Sequence, residues 1–263
     1  MNTNLNSNKF YTRFRTEPER LKFITPCIGS PFVPDTFLRN GCLVSRRGQG
    51  LYDWWSRHRN LFSRLYDIAF LGRESERRER AMNSLSLDSG DRVLELGCGP
   101  GNSFEALRTH VGSAGRVVGL DYSPGMARQA RRRARDRGWA NVHVLRGDAG
   151  RPGIADGAFD AVYASMSLSA MPEPEQAIEA AYRALRPGGR IVVLDAQPFQ
   201  QFPWTLLNPV IVPLAKWATN WFPDTDVPAQ IADRFASTRI ATFDGGVTFI
   251  AIARKSERTG DFG

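Results

Sequence analysis

The chain has 263 residues, 42% of them hydrophobic, and a formal net charge of +8, enough for one large domain with a full core. No stretch approaches the roughly 18 uninterrupted apolar residues that a membrane span requires, so no spanning helix is expected, while the basic excess allows attraction to anionic lipid or nucleic acid. Cys27, Cys42 and Cys98 have neither metal-ligand spacing nor a disulfide framework, which points to a reducing, cytoplasmic setting.

Residues 1–50 carry eight Lys and Arg against three Asp and Glu, with many Asn and Pro and no sustained periodicity. They read as a disordered basic extension, or as a start codon assigned too far upstream; an organelle-targeting segment is the lesser reading. Residues 51–255 read as a single domain and 256–263 as a tail.

The domain opens with two leading helices over 52–88. Across 52–71, Trp54, His58, Leu61, Leu65 and Ile68 follow helical spacing, with Trp55, Phe62, Tyr66 and Ala69 on the adjoining stripe. Gly72 can end that helix, and 73–86 predict a second, with Ala81, Met82 and Leu85 turned inward.

Strands then alternate with helices. Arg92–Leu96, Arg116–Asp121, Val142–Leu145, Phe159–Ala164 and Arg190–Asp195 are mostly Val/Leu/Ile-rich runs without strict alternation, as in parallel strands covered on both faces. Helices fit at about 102–111, 124–137 and 173–186, within a doubly wound α/β sheet. Arg239–Phe243 and Val247–Ala253 are joined only by "DGG", so a hairpin connects them. The fold class is α/β: a mostly parallel, seven-stranded sheet with an antiparallel last strand.

After the first strand, "VLELGCGPGN" places Gly97, Gly99 and Gly101 at alternate positions. In an open α/β sheet the loop there faces the ligand crevice, and glycine lets the backbone approach a ligand closely. The order G-x-G-x-G differs from the dinucleotide fingerprint, with Asn102 where its third glycine would fall, and no Lys-Ser/Thr follows as in a P-loop. Glu95 argues against a phosphate and suits a cation. Asp121, closing the second strand, can accept from both hydroxyls of a ribose. Ser123 before Pro124 is the better cap of the following helix. Asp148 and Ala149, in "RGDAG", fit either an adenine edge or a plain turn.

These segments resemble the class I S-adenosylmethionine-dependent methyltransferases. The matching pieces are "VLELGCGPG" (93–101), "VVGLDYSPGMA" (117–127), "GDA" (147–149), "FDAVYASMSLSAMP" (159–172) and "LRPGGRIVVLD" (185–195). The resemblance implies a Rossmann-like methyltransferase fold and S-adenosyl-L-methionine as cofactor. It puts Gly97, Gly99 and Gly101 against the methionine and ribose parts, with Glu95 supporting the loop and Asp121 on the ribose. It sets Tyr122 and Met126 beside the adenine, Asp148 and Ala149 at its edge, and Ser165 near the methionine moiety. Tyr66, in "YD" of the leading helix, is similar to the aromatic cap of lipid and quinone methyltransferases.

Methyl transfer requires alignment more than a covalent intermediate. No catalytic residue is assigned. His58 is a base candidate against the plainer reading of a core-edge histidine; His110 reads as a helix-end cap and His143 as structural. Residues 200–232 read as an apolar insertion. Within it Val210, Leu214, Trp217 and Trp221 share one helical face, opposite Lys216, Thr219 and Asn220. That stretch is either a lid over a lipophilic acceptor, touching a bilayer surface, or a helix packed on the core. Its placement resembles phospholipid N-methyltransferases and quinone C-methyltransferases. The expected acceptor is therefore a phospholipid amine or a quinone-like ring, the expected localisation cytoplasmic or peripheral to the membrane.

The arginines of 128–137 lack interleaved aromatics and read as a solvated helix face, so no nucleic-acid partner is expected. The alternatives are a methyltransferase of another small metabolite, an RNA or protein methyltransferase, a nicotinamide-dependent oxidoreductase and a non-catalytic cofactor binder.

Overall fold

In the computed structural model, residues 73–257 are described. The leading helix over 52–71, with Tyr66 and His58, the extension 1–50 and Cys27 and Cys42 lie outside them.

The chain order is α1 (Glu74–Ser84), β1 (Arg92–Leu96), α2 (Phe104–Val111), β2 (Arg116–Asp121), α3 (Pro124–Asp136), β3 (Val142–Arg146), β4 (Phe159–Ser165), α4 (Pro174–Ala184), β5 (Leu185–Ala196), α5 (Asn208–Ala218), α6 (Val227–Arg234), β6 (Ser237–Phe243) and β7 (Thr248–Arg254). The seven strands form one sheet in the order β3-β2-β1-β4-β5-β7-β6. β1 to β5 pair in parallel, while β7 is antiparallel to both β5 and β6. The hairpin was legible in "DGG". The sequence did not specify that β7 inserts between β5 and β6, leaving β6 at the edge.

Side chains alternate across the sheet because successive residues of a strand point to opposite faces. Leu94, Val162, Ala164, Ile191 and Val193 pack under Ala177, Ile178 and Ala181 of α4 and Val227 and Ile231 of α6. Val93, Ala161, Tyr163, Val192 and Leu194 pack on the other face with Ala81 of α1 and Leu85 just after it, Phe104 and Leu107 of α2 and Ala130 of α3. Both faces of the central strands are covered, which is why β1, β4 and β5 carry continuous apolar runs, whereas the edge strands β3 and β6 are largely exposed or partly buried.

The helix signals act locally as expected. Ser123 caps α3, its hydroxyl accepting from the Met126 N–H at 3.2 Å, and Pro124 opens the helix. The arginines at 128, 131, 132, 135 and 137 are exposed while Met126, Ala127, Ala130 and Ala134 are buried. His110 lies in the last turn of α2, its Nδ1 2.8 Å from the Ala106 carbonyl.

The expected insertion 200–232 divides in two. Residues 227–234 form α6, started by Asp226, whose side chain accepts from the Ala229 N–H at 3.0 Å, and held in the core by Val227 and Ile231. The cap followed by proline was a readable start signal that the apolar reading of the stretch obscured. Only the part around α5 stands out from the body.

Candidate cofactor and acceptor site

The direction of chain winding reverses between β1 and β4: β2 and β3 lie to one side, β5 to the other. Ligands bind outside the carboxyl ends of strands at such a switch point. The loops after β1, β2, β3 and β4 meet there.

Gly97, Gly99 and Gly101 all take positive φ, at +63°, +55° and +76°, a region that favours glycine. Their surroundings differ. A Cβ on Gly97 would fall 2.4 Å from Ser167 Cβ, and one on Gly101 2.5 Å from the Phe104 ring. These two glycines admit the protein's own side chains. A Cβ on Gly99 meets nothing within 4 Å, so Gly99 is the position where the bare backbone borders open space.

Asp121 organises that space. Its Oδ2 accepts from the Gly99 N–H at 2.7 Å and its Oδ1 from the Ser123 N–H at 2.9 Å. The Gly147 N–H donates to the Asp121 carbonyl at 3.1 Å, which brings "RGDAG" alongside. There Asp148 is exposed and its Oδ1 accepts from the Gly150 N–H at 2.9 Å, forming a turn. Ala149 is buried in the core beneath. Tyr122 stands exposed at 46%, whereas Met126 is buried at the start of α3.

Glu95 differs from its sequence reading. It is 2% exposed, and burial pushes its carboxyl up to about 8, with the Ser103 hydroxyl and the Arg78 charge pulling the other way. The Arg78 guanidinium in turn donates to Ser103 Oγ at 3.2 Å. At neutral pH the carboxyl is therefore largely protonated without a ligand. The negative charge expected to attract a cation is latent, because strand packing removed the water that would sustain it. Glu95 Oε2 has no hydrogen-bond partner.

On the β4 side, Leu96 pairs with Ala164 and Ser165 follows one step further. Ser165 is buried and its Oγ has no hydrogen-bond partner. Met166 takes a strained φ of +50°. The Ser167 hydroxyl then donates to the Leu96 carbonyl at 2.9 Å, bridging the two loops across the switch point. Cys98 is also buried, which pushes its thiol well above the usual range, so it is no nucleophile.

Sequence reasoning gave no role to Asp195 at the end of β5. It is fully buried; its Oδ2 accepts from the Ser169 N–H at 3.0 Å and its Oδ1 from the Ser169 hydroxyl at 2.5 Å and the Ala196 N–H at 2.8 Å. Burial pushes its carboxyl up against the pull of those donors. Asp195 thus fixes the short 3-10 turn Leu168–Ala170. The far end of the insertion ties into the same turn: the Phe222 N–H donates to the Ser169 carbonyl at 2.8 Å and Asn220 Nδ2 to the Ala170 carbonyl at 3.1 Å. A terminal acid on an apolar strand was the available signal, but nothing local shows what it bonds.

The remaining feature is α5. Val210, Leu214 and Trp217 fall on α5 at the expected spacing and are 68%, 59% and 74% exposed, whereas Trp221, expected on the same face, lies beyond the end of the helix and is partly buried. That face is not packed on the core.

The residues present suit an adenosyl sulfonium. Open space over Gly99, two unpartnered buried oxygens on Glu95 and Ser165, and an oriented carboxylate on Asp121 all lie at or beside the carboxyl ends of β1, β2 and β4. Among the described residues no cluster of His, Cys, Asp and Glu could hold a metal ion.

Comparison with known proteins agrees. A family model described as a methyltransferase domain matches residues 93–189. The demethylmenaquinone methyltransferase of Lactiplantibacillus plantarum is 33% identical over 171 residues, covering 64% of this chain and 68% of that protein. The aklanonic acid methyltransferase of a Streptomyces species is 34% identical over 150 residues, covering 57% and 68%. Among solved structures, a SAM-dependent methyltransferase from Aquifex aeolicus has a similar fold, with a TM-score of 0.53 at 20% identity over 67% of this chain and 88% of that one.

Proposed function

The chain belongs to the class I S-adenosylmethionine-dependent methyltransferases, and on that premise we propose that it methylates a lipophilic, quinone-like ring. S-adenosylmethionine supplies a methyl group activated by a sulfonium centre. The protein's part is to hold that group and the acceptor in line, which can supply several kcal/mol of the barrier reduction, on the order of 7 or more when alignment is complete.

In this reading the Gly99 backbone and the Asp121 carboxylate bind the ribose, and Tyr122 at the rim covers the adenine. The Ser165 hydroxyl and Glu95 face the methionine end, where an arriving cation would draw the Glu95 proton away. Asp148 and Ala149 border the adenine edge, with Gly97 and Gly101 shaping the loop. Membership of this family disfavours the nicotinamide-dependent alternative.

The observation that carries the acceptor reading is the exposed apolar face of α5, tethered through Asn220 and Phe222 to the loop that follows β4. The names of the two relatives support a ring over a phospholipid amine: one is named for demethylmenaquinone, the other for aklanonic acid. Among the described residues no helix is long and apolar enough to cross a membrane, so an acceptor dissolved in a bilayer would be reached from its surface.

The test is transfer of a labelled methyl group into a cell extract, followed by phase partition and chromatography. Label in the organic phase, migrating with quinones, is expected. Label confined to the aqueous phase would sink the lipophilic reading in favour of another small metabolite, and label in phospholipid would move it to the amine acceptor.

A further inference from the structure

Resting on the lipophilic-acceptor reading, we propose that the exposed face formed by residues 202–217 docks the protein on an anionic lipid surface. Ten large apolar side chains stand exposed among the described residues, and eight of them lie in this one stretch. A soluble surface ordinarily scatters such residues; a contiguous patch marks a contact site. Phe202 and Leu206 precede α5 and are 80% and 68% exposed, and Val210, Leu214 and Trp217 continue along the helix.

Charge decides what the face contacts. Residues 197–222 contain no Asp or Glu, and Lys216 is their only charged residue. Asp224, beyond the apolar run, pairs with Lys216 at 2.9 Å, so the face itself carries no net negative charge to repel an acidic surface. The chain as a whole is +8, and the eight basic against three acidic residues of 1–50 give that segment a net +5. A single apolar contact holds a protein at a bilayer only weakly, and a second, polybasic signal makes attachment stable. This sequence supplies the apolar contact, and its overall positive charge adds a diffuse attraction to an anionic surface. A second copy of the chain would bring the same positive charge and is disfavoured.

The geometry fits a helix lying in the interface. Pro213 stands inside α5, which has 11 residues, a length of about 16 Å against the roughly 30 Å of a bilayer core. Trp217, at the C-terminal end of that face, is of a residue type that suits the head-group boundary. Asn220 and Phe222 tether the base of the insertion to the turn Leu168–Ala170. Docking would therefore set the acceptor side of the site against the surface that holds the acceptor.

The experiment is sedimentation of the full-length chain with vesicles of phosphatidylcholine alone or mixed with phosphatidylglycerol, at low and high salt. Binding to the mixed vesicles is expected, weakened by salt and by omission of the anionic lipid. The double variant Leu214→Ser/Trp217→Ser, altered at solvent-exposed positions, is expected to bind roughly tenfold or more weakly while keeping its melting temperature and its S-adenosylmethionine affinity. Equal binding by the variant, or no binding by the native chain, overturns the proposal. So does a dimer in light scattering that the double variant dissociates, which would assign the face to a second copy. The two readings fail separately: organic-phase product without vesicle binding sinks docking alone, and vesicle binding with only aqueous product sinks the acceptor reading.

Discussion

The Gly99 N–H donates to Asp121 Oδ2 at 2.7 Å, while Asp121 Oδ1 receives the Ser123 N–H at 2.9 Å. One carboxylate thus ties the loop after β1 to the start of α3 before any ligand arrives. Hydrogen bonds to a charged group contribute about 1.5–3 kcal/mol each, so Asp121 holds the two segments in place.

Asp121→Ala is expected to weaken S-adenosylmethionine binding by roughly tenfold to a hundredfold while the chain still folds, because Asp121 is only partly buried. Asp121→Asn keeps one acceptor oxygen and should lose less. Isothermal titration with circular dichroism as a folding control tests this; unchanged affinity in Asp121→Ala would show that the carboxylate does not bind the cofactor.

Gly97→Ala and Gly99→Ala should separate folding from binding. Both pay roughly 1–2 kcal/mol for a side chain at positive φ. The Gly97 methyl also collides with Ser167, so this variant should melt well below the native protein. The Gly99 methyl meets no protein atom. Its variant should melt only a few degrees below native but bind cofactor at least about tenfold more weakly, since the added group enters the space a ligand would use. Comparable losses of thermal stability in both would refute the distinction.

Glu95 predicts a pH dependence with a definite sign. Its folded value of about 8 lies above the ordinary 4.5. Between those values the folded chain holds a proton that the unfolded chain has released, so this group's contribution to stability is highest below about pH 4.5 and declines as pH rises. The slope is at most about 1.4 kcal/mol per unit and ends near pH 8. A cation favours the ionised carboxylate, so affinity for S-adenosylmethionine should rise with pH up to about 8. S-adenosylhomocysteine has the same amino acid end but a neutral sulfur, and its affinity should rise less. Glu95→Gln should remove the difference between the two ligands; a difference that persists in the variant would show that another group is responsible.

The sequence by itself determined most of the described elements and placed Gly99 and Asp121 at neighbouring strand ends, where the fold joins them. Runs such as Val93–Leu96 and Ile191–Leu194, bounded by glycines or a terminal acid, read as strands buried on both faces, and Gly97, Gly99, Gly101 and Asp121 stand where those strands stop. Such signals are local: hydrophobic period, capping hydroxyls and the conformational freedom of glycine act over a few residues. Tertiary structure alone decided which glycine borders open space, that Glu95 holds its proton, that Asp195 anchors Ser169, that β7 slips between β5 and β6, and that Trp217 faces outward. Each depends on which distant side chains exclude water from a given atom. Desolvation is a property of the packed whole, and no stretch of residues specifies it in isolation.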